Sequence, residues 1–180
     1  MTADGAPRSE RRTQMVELAG DLFAEKGFRA TTVREIADAA GILSGFLNEV
    51  LADYRAAAAS AGSPRVVLEQ IVRSTSHTLS RHRAALAMLQ NDWTYFATQP
   101  RFGYLRKAVR EIERTWITQL ELGKESGEFR ADLDAKLTYR LLRDVLWIPA
   151  QWRLAGGFST DQVVDAFLRL LFDGIAAQHP

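Results

Sequence analysis

Apolar residues recur at helical spacing through almost the whole chain, and no stretch alternates apolar with polar as a half-buried strand must. Breaks punctuate this pattern at intervals that fit individual helices. The first helix is expected from near Ser9 to Lys26, with Met15, Ala19, Leu22 and Phe23 on one face and Gly27 as its stop. Thr32 and Glu35 stand in capping-box spacing before a short helix that closes at Gly41. Phe46, Leu47, Val50, Leu51 and Tyr54 mark a third helix, which fades into alanines 56–59. After the break at 60–64, with Ser63 as cap and Pro64 in the first turn, helices are expected over 64–80 and 83–97. Leu105, Val109, Ile112, Trp116 and Leu120 define a long helix stopped by Gly123 or Gly127. Another runs over 134–152, capped by Asp132 or Asp134 and bent at Pro149, and a last one runs from the Ser159/Gln162 capping box to about Ile175. The fold class is all-α.

The 180 residues suffice for one sizeable domain, or for a small module joined to a larger one. The chain has no cysteine, which excludes a disulfide scaffold and a thiolate metal site and fits a reducing cytosol. No apolar run is long enough to span a bilayer, and MTADGAPRSERR lacks the apolar core of a signal peptide. A cytoplasmic protein with no membrane partner is the expectation. Net charge is +1, but residues 1–45 hold six Arg or Lys against seven Asp or Glu, for a net of −1. A nucleic-acid-binding module ordinarily carries a basic surface, so its charge must sit on one face or part of it must be absent.

A helix-turn-helix needs a small residue where its helices touch and, four residues later, a glycine free to adopt a left-handed turn. Ala37 and Gly41 supply that spacing, flanked by Ile36 and Ile42. The pattern alone is weak, because any capped helix ending in glycine contains it. The longer stretch RRTQMVELAGDLFAEKGFRATTVREIADAAGILSG resembles the N-terminal module of the TetR family of transcriptional repressors along its whole length. Thr31, Thr32 and Arg34 then stand at a helix N-terminus, where hydroxyls, backbone N–H groups and a guanidinium can grip phosphate. Capping by Thr32 and solvation of Arg34 are the plainer alternatives. Arg11 and Arg12, with Arg8, form either a basic arm along the DNA backbone or a solvated tail. Ser44 and Gly45 open the segment that should read bases.

At Phe46 the family pattern breaks off. Either FLNEVL is a diverged recognition helix, or a recognition segment is absent and Phe46 onward is the later part of the next helix. Residues 46–54 contain Glu49 and Asp53 and no basic side chain, so a groove-facing helix here would repel phosphate. Their apolar set also fits a core stripe. The absent-segment reading is therefore favoured, with a shortfall of roughly 20 residues relative to the family. The expected organisation is an incomplete DNA-binding module over 1–45, a connecting helix over 46–60, and a ligand-binding and dimerisation domain over 61–180.

The four tryptophans, Trp93, Trp116, Trp147 and Trp152, all lie in this larger part, where core packing accounts for most aromatics. Over 134–152, Lys136, Arg140, Arg143, Trp147 and Gln151 share one helical stripe, and Leu137, Leu141, Val145, Ile148 and Trp152 share another. A cation beside an indole can hold an anionic ligand with a flat, apolar body; pairing of Arg143 with Asp144 is the competing explanation. The last helix carries Val163, Phe167, Leu170 and Leu171 on several sides, which calls for a partner subunit; these residues and Leu146 are the expected dimer contacts.

ATQPRFGYL, GEFRADLDAKLTYRLLRDVLWIPAQWR and GGFSTDQV resemble the ligand domain of actinobacterial TetR-family repressors of late sterol-ring catabolism. That resemblance implies a homodimer on palindromic operator DNA, released by a small-molecule effector that is a coenzyme A thioester. It places Arg143 and Trp147 first among ligand contacts, with Trp93, Phe96, Arg101, Phe102 and Trp116 behind them. Another hydrophobic effector, such as a fatty acyl-CoA or a drug, is the nearest alternative; a helical ligand-binding protein that does not bind DNA is more distant. No enzyme and no cofactor are expected. His77 and His82 are five residues apart, a poor spacing for a shared metal, and no phosphate loop or serine elbow is present.

Overall fold

The structure, a computed structural model, describes residues 6–39, 41–147 and 157–175. The chain divides into two compact units, Met1–Gly45 and Phe46–Pro180. The described residues are helical with short connections, and among them there is no strand.

In the first unit, α1 (Ala6–Lys26) packs on α2 (Val33–Ala39). Gly27 ends α1 in the left-handed region, at φ +87°, with its N–H on the Phe23 carbonyl at 2.9 Å. The rings of Phe23 and Phe28 then meet across the turn at 5.0 Å. α3 (Ile42–Ala58) starts in this unit and is continuous through Gly45 and Phe46.

In the second unit the α3 stripe of Phe46, Leu47, Val50, Leu51 and Tyr54 is buried. It joins a core with Leu68, Ile71 and Val72 of α4 (Pro64–Arg81) and Leu105, Trp116 and Leu120 of α7 (Gly103–Glu125). α7 packs against both α4 and α8 (Ala135–Trp147), and α9 (Thr160–Ile175) packs along α4. The single helix expected over 83–97 is two helices, α5 (Arg83–Asn91) and α6 (Trp93–Thr98). Asn91-Asp92 causes the break: short polar side chains compete for the backbone, and Asp92 leaves the helical region at φ −115°, ψ 16°. A 3₁₀ turn, Pro100–Phe102, leads into α7.

The caps follow local chemistry. Asp134, not Asp132, caps α8, accepting the Leu137 N–H at 2.8 Å, while Asp132 pairs with Arg130. The Ser159/Gln162 box closes in both directions at 2.8 and 3.2 Å. Ser63 precedes Pro64 as expected, but its hydroxyl donates to Glu128, whose other oxygen accepts the Arg65 N–H and so caps α4 from a distant loop. The bend at Pro149 and the positions of Ile148, Gln151 and Trp152 lie outside the described residues.

Gly127, with φ +75°, follows the end of α7, whereas Gly123 lies inside that helix for a packing reason. A β-carbon there would come within 2.0 Å of the Phe129 ring. That ring is stacked on Phe172, and the Phe129 N–H is held on the Gly123 carbonyl at 2.9 Å, so retreat is blocked. Gly123→Ala should therefore cost about 1–3 kcal/mol despite its better helix propensity. A melting temperature equal to that of the native protein would show that the ring has room to move.

Candidate functional site

The helix-turn-helix elements are in place in the first unit. Ala37 is buried on α2, and Gly41 takes the left-handed turn at φ +63°. The Thr32–Glu35 capping box is closed: the Glu35 N–H donates to the Thr32 hydroxyl at 3.2 Å, and the Thr32 N–H donates to Glu35 at 3.0 Å. Lys26 joins the same carboxylate at 3.0 Å, tying the end of α1 to the start of α2. The Thr32 backbone bond and the Lys26 bond together bring the Glu35 carboxyl down from its ordinary 4.5 to about 2.

The candidate phosphate contacts are partly engaged already. The Thr31 hydroxyl points into the turn, toward the carbonyls of Leu22 and Gly27 at 3.2 and 3.0 Å. The Ser44 hydroxyl donates to the Gly41 carbonyl at 3.1 Å, and Gly45 is exposed with its N–H on the same carbonyl at 2.9 Å. Arg34 is half-buried on α2. Arg11 and Arg12 fall within α1, but their side chains lie outside the described residues.

The second unit contains an apolar cavity of about 60 Å³. Phe46, Leu47, Val50 and Tyr54 of α3 form one wall, Thr75 and Leu79 of α4 a second, Val109, Ile112 and Trp116 of α7 a third, and Tyr139 and Arg143 of α8 the last. Trp116 is buried and donates its indole N–H to the Tyr54 hydroxyl at 2.8 Å. Burial pushes the Tyr54 phenol well up and the Tyr139 phenol up to about 12, so both stay protonated at neutral pH. Arg143 lines the cavity while its guanidinium reaches Asp144 at 2.8 Å, so the pairing with Asp144 is present at the cavity wall.

Of the expected ligand residues, the cavity unites Arg143 and Trp116. Phe96 and Phe102 do not line it. Both are fully buried, edge to face at 4.8 Å, in an aromatic cluster with Tyr95 and Tyr104. Their spacing on either side of Pro100 is that of core packing. Trp93 is exposed on α6, and the side chains of Arg101 and Trp147 lie outside the described residues. Sequence reasoning missed Tyr54, Thr75 and Tyr139 as cavity residues. A hydroxyl-bearing residue closing an otherwise apolar stripe was the one available signal for Tyr54; Thr75 carried none.

The two stripes of α8 are placed unequally. Leu137, Leu141 and Val145 are 56%, 62% and 43% exposed, while Tyr139 supplies the buried face. On α9, Leu170 is 78% exposed, Val163 and Phe167 are half-buried, and Leu171 is buried within the chain. Leu171 is therefore a core residue of its own subunit and not an outward contact, because it shares a face with Val164, Leu168 and Ile175. Leu146 falls within α8 with its side chain outside the described residues. Among the described residues, no helix is long and apolar enough to cross a membrane, and no cluster of His, Asp or Glu could hold a metal ion.

A turn-forming helix pair with a left-handed glycine, followed by a helical unit enclosing an apolar cavity, defines an all-helical regulator architecture. Residues 16–48 match the family described as bacterial regulatory proteins, tetR family. Residues 61–175 match the tetracyclin repressor-like C-terminal domain. The chain belongs to the TetR family. It is 36% identical over 196 aligned positions to the HTH-type transcriptional repressor KstR2 of Rhodococcus jostii (strain RHA1), covering 98% of this chain and 96% of that one. It is 34% identical to the KstR2 repressor of Mycobacterium tuberculosis (strain CDC 1551 / Oshkosh), covering 94% and 95%. The solved structure of the ketosteroid transcriptional regulator KstR2 of Mycobacterium tuberculosis is similar, with a TM-score of 0.74 and 34% identity over 93% of this chain and 96% of that one.

The capping box that sets up the turn has a measurable signature. The folded Glu35 value lies below the ordinary one, so its contribution to local stability is complete above pH 4.5 and lost as pH falls through about 2. The Thr32 amide resonance should titrate with a midpoint about 2, and Glu35→Gln should abolish that titration. A midpoint near 4.5 would mean that the box is open in solution.

Proposed function

We propose that the protein is a ligand-responsive transcriptional repressor whose effector is a coenzyme A thioester of a steroid-ring degradation intermediate. The genes it controls are then those of sterol catabolism. The observation that carries this reading is the cavity with Arg143 in its wall, an apolar enclosure with one permanent cation. The relatives named as KstR2 repressors, one of them a ketosteroid regulator, support the effector class. Arg143 offers N–H donors to thioester, carbonyl or phosphate oxygens, and Trp147, four residues further along the sequence, is the aromatic residue proposed to meet the ligand body.

At about 60 Å³ the cavity is far smaller than the several hundred cubic ångströms that such a ligand occupies. The effector-bound state is therefore a wider one, in which the helices around the cavity have separated. Binding selects that state, and DNA selects the other, so effector and operator weaken each other reciprocally. The protein acts as a homodimer on palindromic operator DNA, and the exposed apolar residues Leu137, Leu141 and Val145 of α8 and Leu170 of α9 are the faces that a second subunit would cover.

The base-reading segment is part of the same proposal. α3 turns its apolar residues into the core from Phe46 onward, and the face it leaves exposed, Asn48, Ala52, Arg55 and Ala56, carries a single basic side chain. The alignment with the Rhodococcus repressor runs to 196 positions although the chain has 180 residues, which supports a segment absent from this chain. Thr32, Arg34, Arg11 and Arg12 retain phosphate contacts, which position a protein on DNA without reading sequence.

Two measurements test these points. Arg143→Ala should weaken binding of a steroid-acid-CoA thioester by about tenfold or more in calorimetry and leave the melting temperature within a few degrees of the native value. Equal affinity in the variant, or equal binding of fatty acyl-CoA and steroid-acid-CoA by the native protein, would overturn the assignment. In a gel-shift assay the 180-residue protein should bind operator poorly and with little preference over scrambled DNA; tight, sequence-specific binding would refute the absent reader.

A further inference from the structure

The polar groups around the cavity are spent unequally. A side-chain hydrogen bond joins Tyr54 of α3 to Thr75 of α4, and the Trp116 indole N–H donates to the same phenol at 2.8 Å. These three side chains satisfy one another. Tyr139 of α8 does not share in them. It lines the cavity, is only 2% exposed, and holds its ring 6.4 Å from that of Trp116. Among the described residues, no group hydrogen-bonds its hydroxyl. Burial pushes the phenol up to about 12 against the pull of Arg143, and Glu113 and Asp144 add to the rise. Tyr139 is therefore a protonated donor at neutral pH with no acceptor. Buried polar groups in native proteins are hydrogen-bonded as a rule, and an exception at a cavity wall marks a place for a ligand atom.

The surroundings of the phenol decide which atom that is. Arg143 follows Tyr139 by one helical turn on the same wall, and side chains four residues apart on a helix lie side by side. The phenol is within electrostatic reach of the Arg143 guanidinium and of the Tyr54 phenol, both of them cavity groups. Asp144 takes the Nε and Nη2 edge of that guanidinium, and the other end of the fork still carries donors. The charges that bear on the phenol are thus one guanidinium and two carboxylates, Glu113 and Asp144. A carboxylate or phosphate placed here would add to a balance that is already negative. A neutral carbonyl oxygen adds no net charge, and its two lone pairs accept from phenol and guanidinium together.

We propose that Tyr139 is a ligand contact, donating its hydroxyl to a neutral carbonyl oxygen that Arg143 also holds, and that this pair admits carbonyl compounds in preference to carboxylates and phosphates. The inference rests on the ligand-binding reading of the cavity and narrows it, since it selects one among the oxygens that Arg143 could meet. A ligand with no carbonyl at this point leaves the phenol unpaired and binds less well, which makes Tyr139 a determinant of specificity.

The test uses small probes that lack coenzyme A. The S-ethyl thioester of cyclohexanecarboxylic acid presents an acyl carbonyl, and cyclohexylmethyl ethyl sulfide has nearly the same shape without the oxygen. Cyclohexanone presents a ring carbonyl and is matched by methylenecyclohexane; cyclohexanecarboxylate supplies the anion. Affinities for the full chain are read from titration of the tryptophan indole N–H resonances. The native protein should prefer a carbonyl probe to its match by about five- to tenfold, the worth of one net hydrogen bond, and Tyr139→Phe should erase most of that preference. A loss confined to the thioester pair identifies an acyl carbonyl, and one confined to the cyclohexanone pair identifies a ring ketone. In the native protein the Tyr139 Cζ resonance should move with the preferred carbonyl probe and stay in place with its match, a readout that needs no variant. No binding of any probe, a preference unchanged in Tyr139→Phe, or a carboxylate bound as tightly as the preferred carbonyl probe would overturn the proposal. A steroid-acid-CoA thioester is titrated in parallel. If it fails to bind while a carbonyl probe still depends on Tyr139, the thioester effector is wrong and the carbonyl contact stands. If it binds Tyr139→Phe and the native protein equally, the effector stands and the contact is wrong.

Discussion

The burial of one face of α3 is the constraint on which the second unit depends. Phe46, Leu47, Val50, Leu51 and Tyr54 are each less than a tenth exposed, and four of the five line the cavity or close it. Fully burying such side chains contributes about 1.5–3 kcal/mol apiece, so the helix cannot roll to present another face without losing much of the stability of the unit. Tyr54 adds a directional element. Its bond with Trp116 fixes α3 against α7 at one rotation, and the aromatic contact of Trp116 with Tyr139, at 6.4 Å, extends that register to α8.

Electrostatics holds the opposite end of the same helix. Glu49 is drawn between Arg81 and His82 at the elbow of α4 and α5, with His82 Nε2 at 2.6 Å. Partial burial pushes its carboxyl up, but the hydrogen bonds from His82 and Arg81 outweigh this and bring it below the ordinary range. The His82 ring also lies 5.6 Å from that of Phe46, so the ionic clasp and the start of the apolar stripe share a neighbour. Further along, Arg55 reaches Glu111 of α7 at 2.7 Å, and Thr78 of α4 donates to Asp53 at 2.8 Å. The acidic residues that made 46–54 a poor DNA reader, Glu49 and Asp53, are thus partners of α4 and of His82 at its end. Their negative charge is met by groups beyond α3, Arg81 and His82 for Glu49 and the Thr78 hydroxyl for Asp53.

Most of the secondary structure was legible because its signals are local. The Thr32–Glu35 and Ser159–Gln162 boxes, the glycines at 27, 41 and 127, and Pro64 each act within a few residues, and each is found in its expected role. Asp92 went unread because its effect is a modest distortion that no stop residue marks. The Glu128 cap of α4 could not be read, since 65 residues separate Ser63 from its partner. Orientation was the harder problem. Periodicity found two stripes on α8 but could not say that Leu137 and Leu141 point outward while Tyr139 and Arg143 border the cavity. An apolar stripe on a surface that awaits a partner looks, residue by residue, like one that faces its own core. Leu171 shows the converse: on a helix apolar on several sides, neighbours three and four residues away decide which leucine is interior.

The cavity has a cost that bears on how the protein switches. At about 24 cal/mol per Å³, leaving about 60 Å³ unfilled forgoes about 1.5 kcal/mol of packing. A bulkier side chain at Val50 would recover much of this, so the sequence retains a defect that a simple substitution could remove. Such a defect lies at the meeting of four helices, α3, α4, α7 and α8, whose packing otherwise determines the unit. A molecule that fills the space stabilises a widened arrangement by its own contacts. A difference of a few kcal/mol is the range over which a ligand can shift a two-state equilibrium.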